Sequence, residues 1–477
     1  MKASKYVTNF LWRVIETCTS QAVTFIVSVI LARLVSPDDY GTLAVVSVFI
    51  SLCSIFVDSG FGMALVQKKD ADDLDFSSIF YFNIVMCMLL YGIIFMASPL
   101  IARFYAIDEL ALLIRVQGLN LLISGVRAIQ TAYVSKHLLF KQAFFATIGS
   151  TLASAVVGIT LAYLGFGIWA LVAQSVFSNL VGTVILWGVI KWRPQRVFSL
   201  DRVKALFSYG SKLLLSSLVN IGYSDLRQLL IGKVYTTADL AYFNRGASVP
   251  GLCHTVISSG TNSVLLPTMS NVQESPSNVK FLVRKSIRIQ TYVLLPAFVG
   301  LALCSEPLIR LLFTDVWAEA IPFQQMFCCI YMLECVASTN ANALKAMGRS
   351  GTMLTIECIK TPVYTLILLI SMPFGTKAIA IGYLLSCAFG TILCVAPGKK
   401  VFGYSIFEQL RDVLPHIALS AVMGLCVWFV SMIPMNNLLT LIVRVCTGVV
   451  VYVALSIAFK LECFTYVKDQ LLALIRR

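Results

Sequence analysis

Apolar runs of twenty or more residues alternate with short polar joins along the whole 477-residue chain. A helix of about 20 apolar residues crosses a hydrocarbon core ~30 Å thick. On that measure the pattern predicts fourteen membrane helices. They cover residues 10–34, 42–66, 78–101, 111–134, 142–164, 167–190, 206–232, 240–266, 283–304, 321–345, 352–372, 376–396, 411–432 and 438–460. Long joins such as 191–205, 267–282 and 397–410 are in the range of ordinary connections or slightly above, so no soluble domain fits between the spans. The tightest is Gly165-Phe166-Gly167 before Ile168.

The polar positions inside the spans carry the chemistry. In the first helix Arg13, Glu16, Ser20, Thr24 and Ser28 recur at steps of three and four, which aligns them on one face. A charge near the bilayer centre costs at least ~2.5–3.5 kcal/mol, so that face should meet other helices or water. The plainer alternative is an anchor helix with one Arg13–Glu16 ion pair. The helix should stop at Ser36-Pro37-Asp38-Asp39-Tyr40-Gly41. Further along stand Asp58, Arg115, Arg127, Lys212, Asp225, Arg227, Arg245, His254, Arg288, Glu334, Glu357 and Lys360. Glu357 and Lys360, at i, i+3, can neutralise each other. Arg288 and Lys360 lie near helix ends, from which long cations reach the headgroups. His254 reads most simply as a packing histidine.

Arg127 has no carboxylate at i±3 or i±4. A guanidinium at depth takes a carboxylate from another helix, here Asp58 or Glu16, or an anion from outside. Guanidinium binds phosphate bidentately and stays charged. With Arg13, Arg115 and Arg245 it would make a cationic chamber for a diphosphate headgroup. Glu16, Asp58, Asp225 and Glu334 are the candidate polar or coupling residues of the same cavity.

The chain also repeats itself. Shifted by 200 residues, Ile30-Leu31-Ala32-Arg33 and Asp39-Tyr40-Gly41 fall on Leu230-Ile231-Gly232-Lys233 and Asp239-Leu240-Ala241. Pro99-Leu100-Ile101 matches Pro307-Leu308-Ile309, each placed at the end of the third helix of its half. The reading is two six-helix lobes, 1–190 and 191–400, with a helix pair and tail at 401–477. Six helices per half makes the repeat parallel, an arrangement of secondary transporters.

Composition narrows the class. The chain is 58% hydrophobic and only 13% charged, with a mean hydropathy of +0.85. Its net charge of +14 does not point to nucleic acid, because the surplus Lys and Arg sit in short loops. Most fall on one side of the predicted membrane, which places both termini in the cytoplasm and requires an even number of spans. The 14 cysteines lie almost all in apolar spans without a CxxC pair or a histidine cluster, so no disulfide framework, metal site or cofactor is expected. No GxxxxGK[ST] loop is present to hold a nucleotide phosphate.

Certain stretches resemble a known family. ILARLVSPDDYGTLAVV, DSGFGMALVQKKD and LAYLGFGIWALVAQ in the first half, with LAYFNRGASVP and LKAMGRS in the second, resemble the Wzx-type polysaccharide flippases of the multidrug/oligosaccharidyl-lipid/polysaccharide exporter superfamily. The branch they look like is the colanic-acid and teichuronic-acid exporters. The resemblance implies an all-α, multi-pass transporter of the MATE-like fold. Its implied activity is to move an undecaprenyl-diphosphate-linked oligosaccharide from the inner to the outer leaflet of a bacterial inner membrane. In such proteins cavity arginines hold the lipid diphosphate, and by position Arg13, Arg115, Arg127 and Arg245 are the candidates. Where the family has an Arg-Leu-Ala-Gln-Leu-Pro type of segment, this chain has Arg245-Gly-Ala-Ser-Val-Pro250, with smaller side chains. Membrane lipids, a glycan polymerase and glycosyltransferases are the expected partners. Two other readings stay open. A multidrug/cation antiporter would use Asp58, Asp225 and Glu334 but is disfavoured by the surplus of buried arginine. A membrane enzyme would want the sizeable extramembrane loop that this chain lacks.

Overall fold

A computed structural model describes the chain apart from residues 1, 59–61, 63–64, 66–67, 69, 273–274, 434, 462 and 466–477. For residues 2–17, 58, 205–217, 219–221, 223, 257, 259–264, 266–267, 270–271 and 350 it describes backbone only. Fourteen helices of twenty or more residues stand among the described residues. They are α1 Lys2–Leu34, α2 Pro37–Asp58, α3 Asp73–Tyr105, α4 Leu110–His137, α5 Phe140–Tyr163, α6 Ile168–Val189 and α7 Leu200–Val234. Then follow α8 Thr237–Asn271, α9 Pro276–Leu303, α10 Ile321–Ala346, α11 Ser350–Ser371, α12 Thr376–Val395, α13 Ile406–Val430 and α14 Asn437–Ala458. Eleven segments of the described residues are long and apolar enough to cross a membrane; the side chains of α1, α7 and α8 are only partly described. The chain is a multi-pass membrane protein. Its exposed positions are apolar along whole helices, as on α14 at Leu438, Ile442, Val445, Val449 and Val453, a surface suited to lipid.

Helix ends follow local chemistry. Ser36 Oγ accepts the Asp39 N–H at 3.2 Å, and Pro37 opens α2. Two hundred residues on, Thr236 Oγ1 accepts the Asp239 N–H at 3.1 Å as α8 begins at Thr237. The repeat read in the sequence therefore holds at this cap. Asp72 with Asp75, and Ser405 with Glu408, form capping boxes that start α3 and α13 earlier than hydropathy places them. The join between α5 and α6 needs glycine twice: Gly165 and Gly167 have φ of +82° and +52°.

One placement is corrected. Pro99 lies inside α3, but Pro307 does not end α9. That helix stops at Leu303, and Pro307 sits in the first turn of a new short helix, Ser305–Phe313. A 3₁₀ segment, Asp315–Ala320, then runs into α10. Proline at the start of a helix gives up no hydrogen bond, which is why this one is tolerated where a helix restarts. A second short helix, Gly398–Phe402, precedes α13.

The chain divides into two compact units, Met1–Ala241 and Tyr242–Arg477. In the first, α3 packs on α4, α5 on α6, α1 on α5, and α2 on both α4 and α7. Phe76, Phe80, Tyr133 and Trp192 form an aromatic core at the start of α3. The segment after α6 is strapped onto that end. Trp192 Nε1 donates to Asp73 at 3.1 Å, and the N–H groups of Gln195 and Ser199 donate to the hydroxyls of Ser77 and Ser78 at 2.9 and 3.0 Å. Gln130 Nε2 donates to the Trp192 carbonyl at 3.0 Å. In the second unit α10 packs on α9 and α12, and α13 on α9 and α14.

Candidate functional site

In the first unit α4 carries a polar stripe facing α6. Gln117 and Asn120 both donate to Ser175 Oγ, at 3.0 and 3.3 Å, and Asn179 donates to Asn120 Oδ1 at 2.9 Å. Arg127 continues the stripe at the helical step of seven. Its guanidinium lies beside Gly182 of α6: a Cβ there would meet Nη1 at 3.0 Å and Ser150 of α5 at 3.3 Å. Two small side chains thus hollow out a recess for one large cation at helix depth.

Arg115 is elsewhere. Its Nε donates to Ser98 Oγ at 2.9 Å, and its guanidinium lies 4.3 Å from the Phe95 ring centroid. Twelve residues separate it from Arg127, about 18 Å along a helix. The structure does not bring these two arginines together.

Asp225, 6% exposed on α7, accepts a hydrogen bond from Ser51 of α2, and Arg227 is buried two positions on. The side chains of Arg13, Glu16, Asp58 and Lys212 lie outside the described residues.

In the second unit Arg245 is 7% exposed. Its guanidinium rests 4.8 Å from the centroids of both Phe313 and Trp317, rings supplied by the segment that restarts after α9. Glu334 lies on α10 with its Oε2 4.0 Å from His254 Nε2 of α8. Glu357 and Lys360 pair at 3.3 Å, as their spacing suggests. An apolar cavity of about 510 Å³ opens between α9, α13 and α14, lined by Phe298, Leu301, Met423, Val445 and Val449 with Arg444 among them.

A charged cluster ties α13 to α9. Asp412, its side chain 4% exposed, takes two 2.7 Å bonds from Arg284 and one of 2.7 Å from the Tyr404 hydroxyl. Arg288 stands 3.6 Å away, so its cation turns to this carboxylate. Burial and the bond to Asp412 push the Tyr404 phenol up. Beside the cluster, Asn340 and Gln409 exchange two 3.0 Å amide bonds.

Comparison with known proteins places this architecture. Residues 30–322 match the family model described as polysaccharide biosynthesis protein. The chain belongs to this family. Among its relatives is the succinoglycan biosynthesis transport protein ExoT of Rhizobium meliloti, 26% identical over 86% of this chain and 81% of that one. Another is the lipopolysaccharide biosynthesis protein WzxC of Escherichia coli, 23% identical over 88% of each. The fold is that of the lipid II flippase MurJ in an inward closed conformation, with a TM-score of 0.78 over 94% of this chain and 99% of that structure at 14% identity.

Sequence reasoning missed several members of this chain's polar framework. Asp412 pairs with Arg284, 128 positions away, a distance at which no periodicity signals contact. Asn120, Ser175 and Asn179 are uncharged and pass unnoticed among apolar residues. The available signal was their spacing: Gln117, Asn120 and Arg127 share a helix face.

Proposed function

We propose that this polysaccharide biosynthesis family member carries a lipid-linked oligosaccharide, of the undecaprenyl-diphosphate class, from the inner to the outer leaflet of a bacterial inner membrane. Both termini are cytoplasmic in this reading, and glycosyltransferases and a polymerase act before and after the transfer. The substrate is moved without chemical conversion. The observation that carries the reading is Arg127, lodged at depth beside Gly182 and Ser150 in a chain of this family. A fixed cation in a recess edged by small side chains suits a diphosphate, which guanidinium binds through paired hydrogen bonds. Arg13, Arg115 and Arg245 would contribute at other stages of the passage, because Arg115 and Arg127 are too far apart for one headgroup. Asp225, Glu334, Glu16 and Asp58 are the proposed polar and coupling residues. The apolar cavity near α14 offers room for a hydrocarbon chain.

Charge reversal tests this. Arg127→Glu and Arg13→Glu should each abolish glycan export in cells while membrane levels stay normal. Arg127→Lys, which keeps the charge and loses the fork, should export at a reduced rate. Export surviving both reversals overturns the diphosphate assignment.

A further inference from the structure

His254 stands at the centre of α8, 17 residues from Thr237 and 17 from Asn271. Glu334 stands at the centre of α10, 13 residues from Ile321 and 12 from Ala346. For helices that cross a membrane these are midplane positions, where transporters place coupling ions. The two side chains meet there. His254 Nε2 lies 4.0 Å from Glu334 Oε2 and 3.1 Å from Ser258 Oγ. The imidazole stacks on Tyr331, centroids 4.9 Å apart and planes within 22°. Gly251 admits that ring, since a Cβ there would sit 3.1 Å from the phenol oxygen. Side-chain exposure is 18% for His254 and 36% for Glu334. Charged side chains at such depth face the bundle interior or a water-filled cavity.

We propose that His254 and Glu334 form a proton-binding site whose loading is coupled to transport; the coupling, though not the site, rests on the flippase reading above. With the imidazole neutral at Nε2, the Ser258 hydroxyl donates to its lone pair. A hydronium ion delivers its proton to Nε2, where an N–H bond forms, and leaves a water molecule behind. The Ser258 bond then reverses, and the imidazolium faces the Glu334 carboxylate. Release passes the same proton to water on the other side, and nothing else is consumed. Imidazole is the side chain whose charge ordinarily changes between about pH 5 and 8. A proton needs only the nitrogen lone pair and a facing carboxylate, both of which this pair supplies. Among the described residues, the titratable groups brought to the pair are Tyr331, stacked on the imidazole, and Cys335, close enough to Glu334 for their charges to interact.

The test uses the full chain in two settings. In proteoliposomes with an undecaprenyl-diphosphate-linked oligosaccharide and an internal pH dye, an imposed pH gradient should change the wild-type rate several-fold. His254→Gln and Glu334→Gln should lose that response, each judged against its own gradient-free rate, while His137→Gln at the end of α4 keeps it. In nanodiscs without substrate, nitrogen-15 histidine spectra should show His254 changing charge between pH 5 and 8; the chain has 3 histidines, so assignment by substitution is direct. An imidazole that does not change charge overturns the site whatever the lipid does. Wild-type flipping indifferent to the gradient, or a full response in His254→Gln, overturns the coupling and leaves the flippase reading standing. A His254 that titrates in a protein that moves no lipid supports the site and overturns both the flippase reading and the coupling.

Discussion

Asp412→Asn keeps the shape of the side chain at the α9–α13 junction and removes its charge. Asp412 holds three bonds of 2.7 Å with its side chain 4% exposed. Hydrogen bonds to charged groups stabilise by roughly 1.5–3 kcal/mol each, and breaking a buried ion pair costs about 3–5 kcal/mol. Those figures must be reduced here. Arg284 and Arg288 are 48% and 37% exposed and will rehydrate once released. The expected loss is therefore about 2–3 kcal/mol. Arg284→Gln should cost less, and the double mutant should reveal a coupling of about 1.5 kcal/mol. One kcal/mol shifts the Tm of a cooperative unit of 150–250 residues by about 2–4 °C. If Tyr242–Arg477 unfolds as one unit, Asp412→Asn should lower Tm by about 5–10 °C. The control is Lys280→Gln. Its partner Glu408 is 49% exposed, and such a surface pair adds little to stability. Thermal unfolding of the purified protein in nanodiscs reads all four. If Asp412→Asn falls no further than Lys280→Gln, or the coupling is indistinguishable from zero, the cluster is not what fastens α13 to α9.

Three further outcomes are expected. Gly182→Leu should displace the Arg127 guanidinium, whose Nη1 already lies 3.0 Å from where a Cβ would sit; flipping in proteoliposomes should drop at least tenfold with the protein still inserted. Asp72→Ala removes the α3 cap and should cost about 1 kcal/mol. The Asp75 N–H holds the Asp72 carboxyl below its usual range, so that stability is complete above the ordinary carboxylate value of about 4 and fades as pH falls through the lowered one, which thermal melts across pH will show. Moving charge through the membrane is worth about 2.3 kcal/mol per elementary charge per 100 mV; an inside-negative potential should therefore speed outward passage of a diphosphate, and flipping unchanged by its collapse would place the driving force elsewhere.

Much of the helical layout was legible because apolar length is a local property. The 200-residue echo was legible too, since Asp39 and Asp239 mark the same cap. Helix starts were not, because capping boxes such as Asp72–Asp75 extend helices into polar sequence that hydropathy discards. Pro307 reads as a helix end in sequence, and only the fold shows a new short helix there, with Phe313 and Trp317 closing on Arg245. The arginines were legible as residues too costly to bury idly. Their grouping was not: spacing on one helix gives a face, whereas Arg115 and Arg127 differ in height by more than three turns.

The strap from Trp192 to Ser199 has a consequence for biosynthesis. Asp73, Ser77, Ser78 and Gln130, its partners, all precede it in the chain. When the ribosome delivers the strap, everything that receives it has already been made. The leading six helices can thus be fastened before the seventh is threaded into the bilayer, and a tag placed in this loop would interrupt that order.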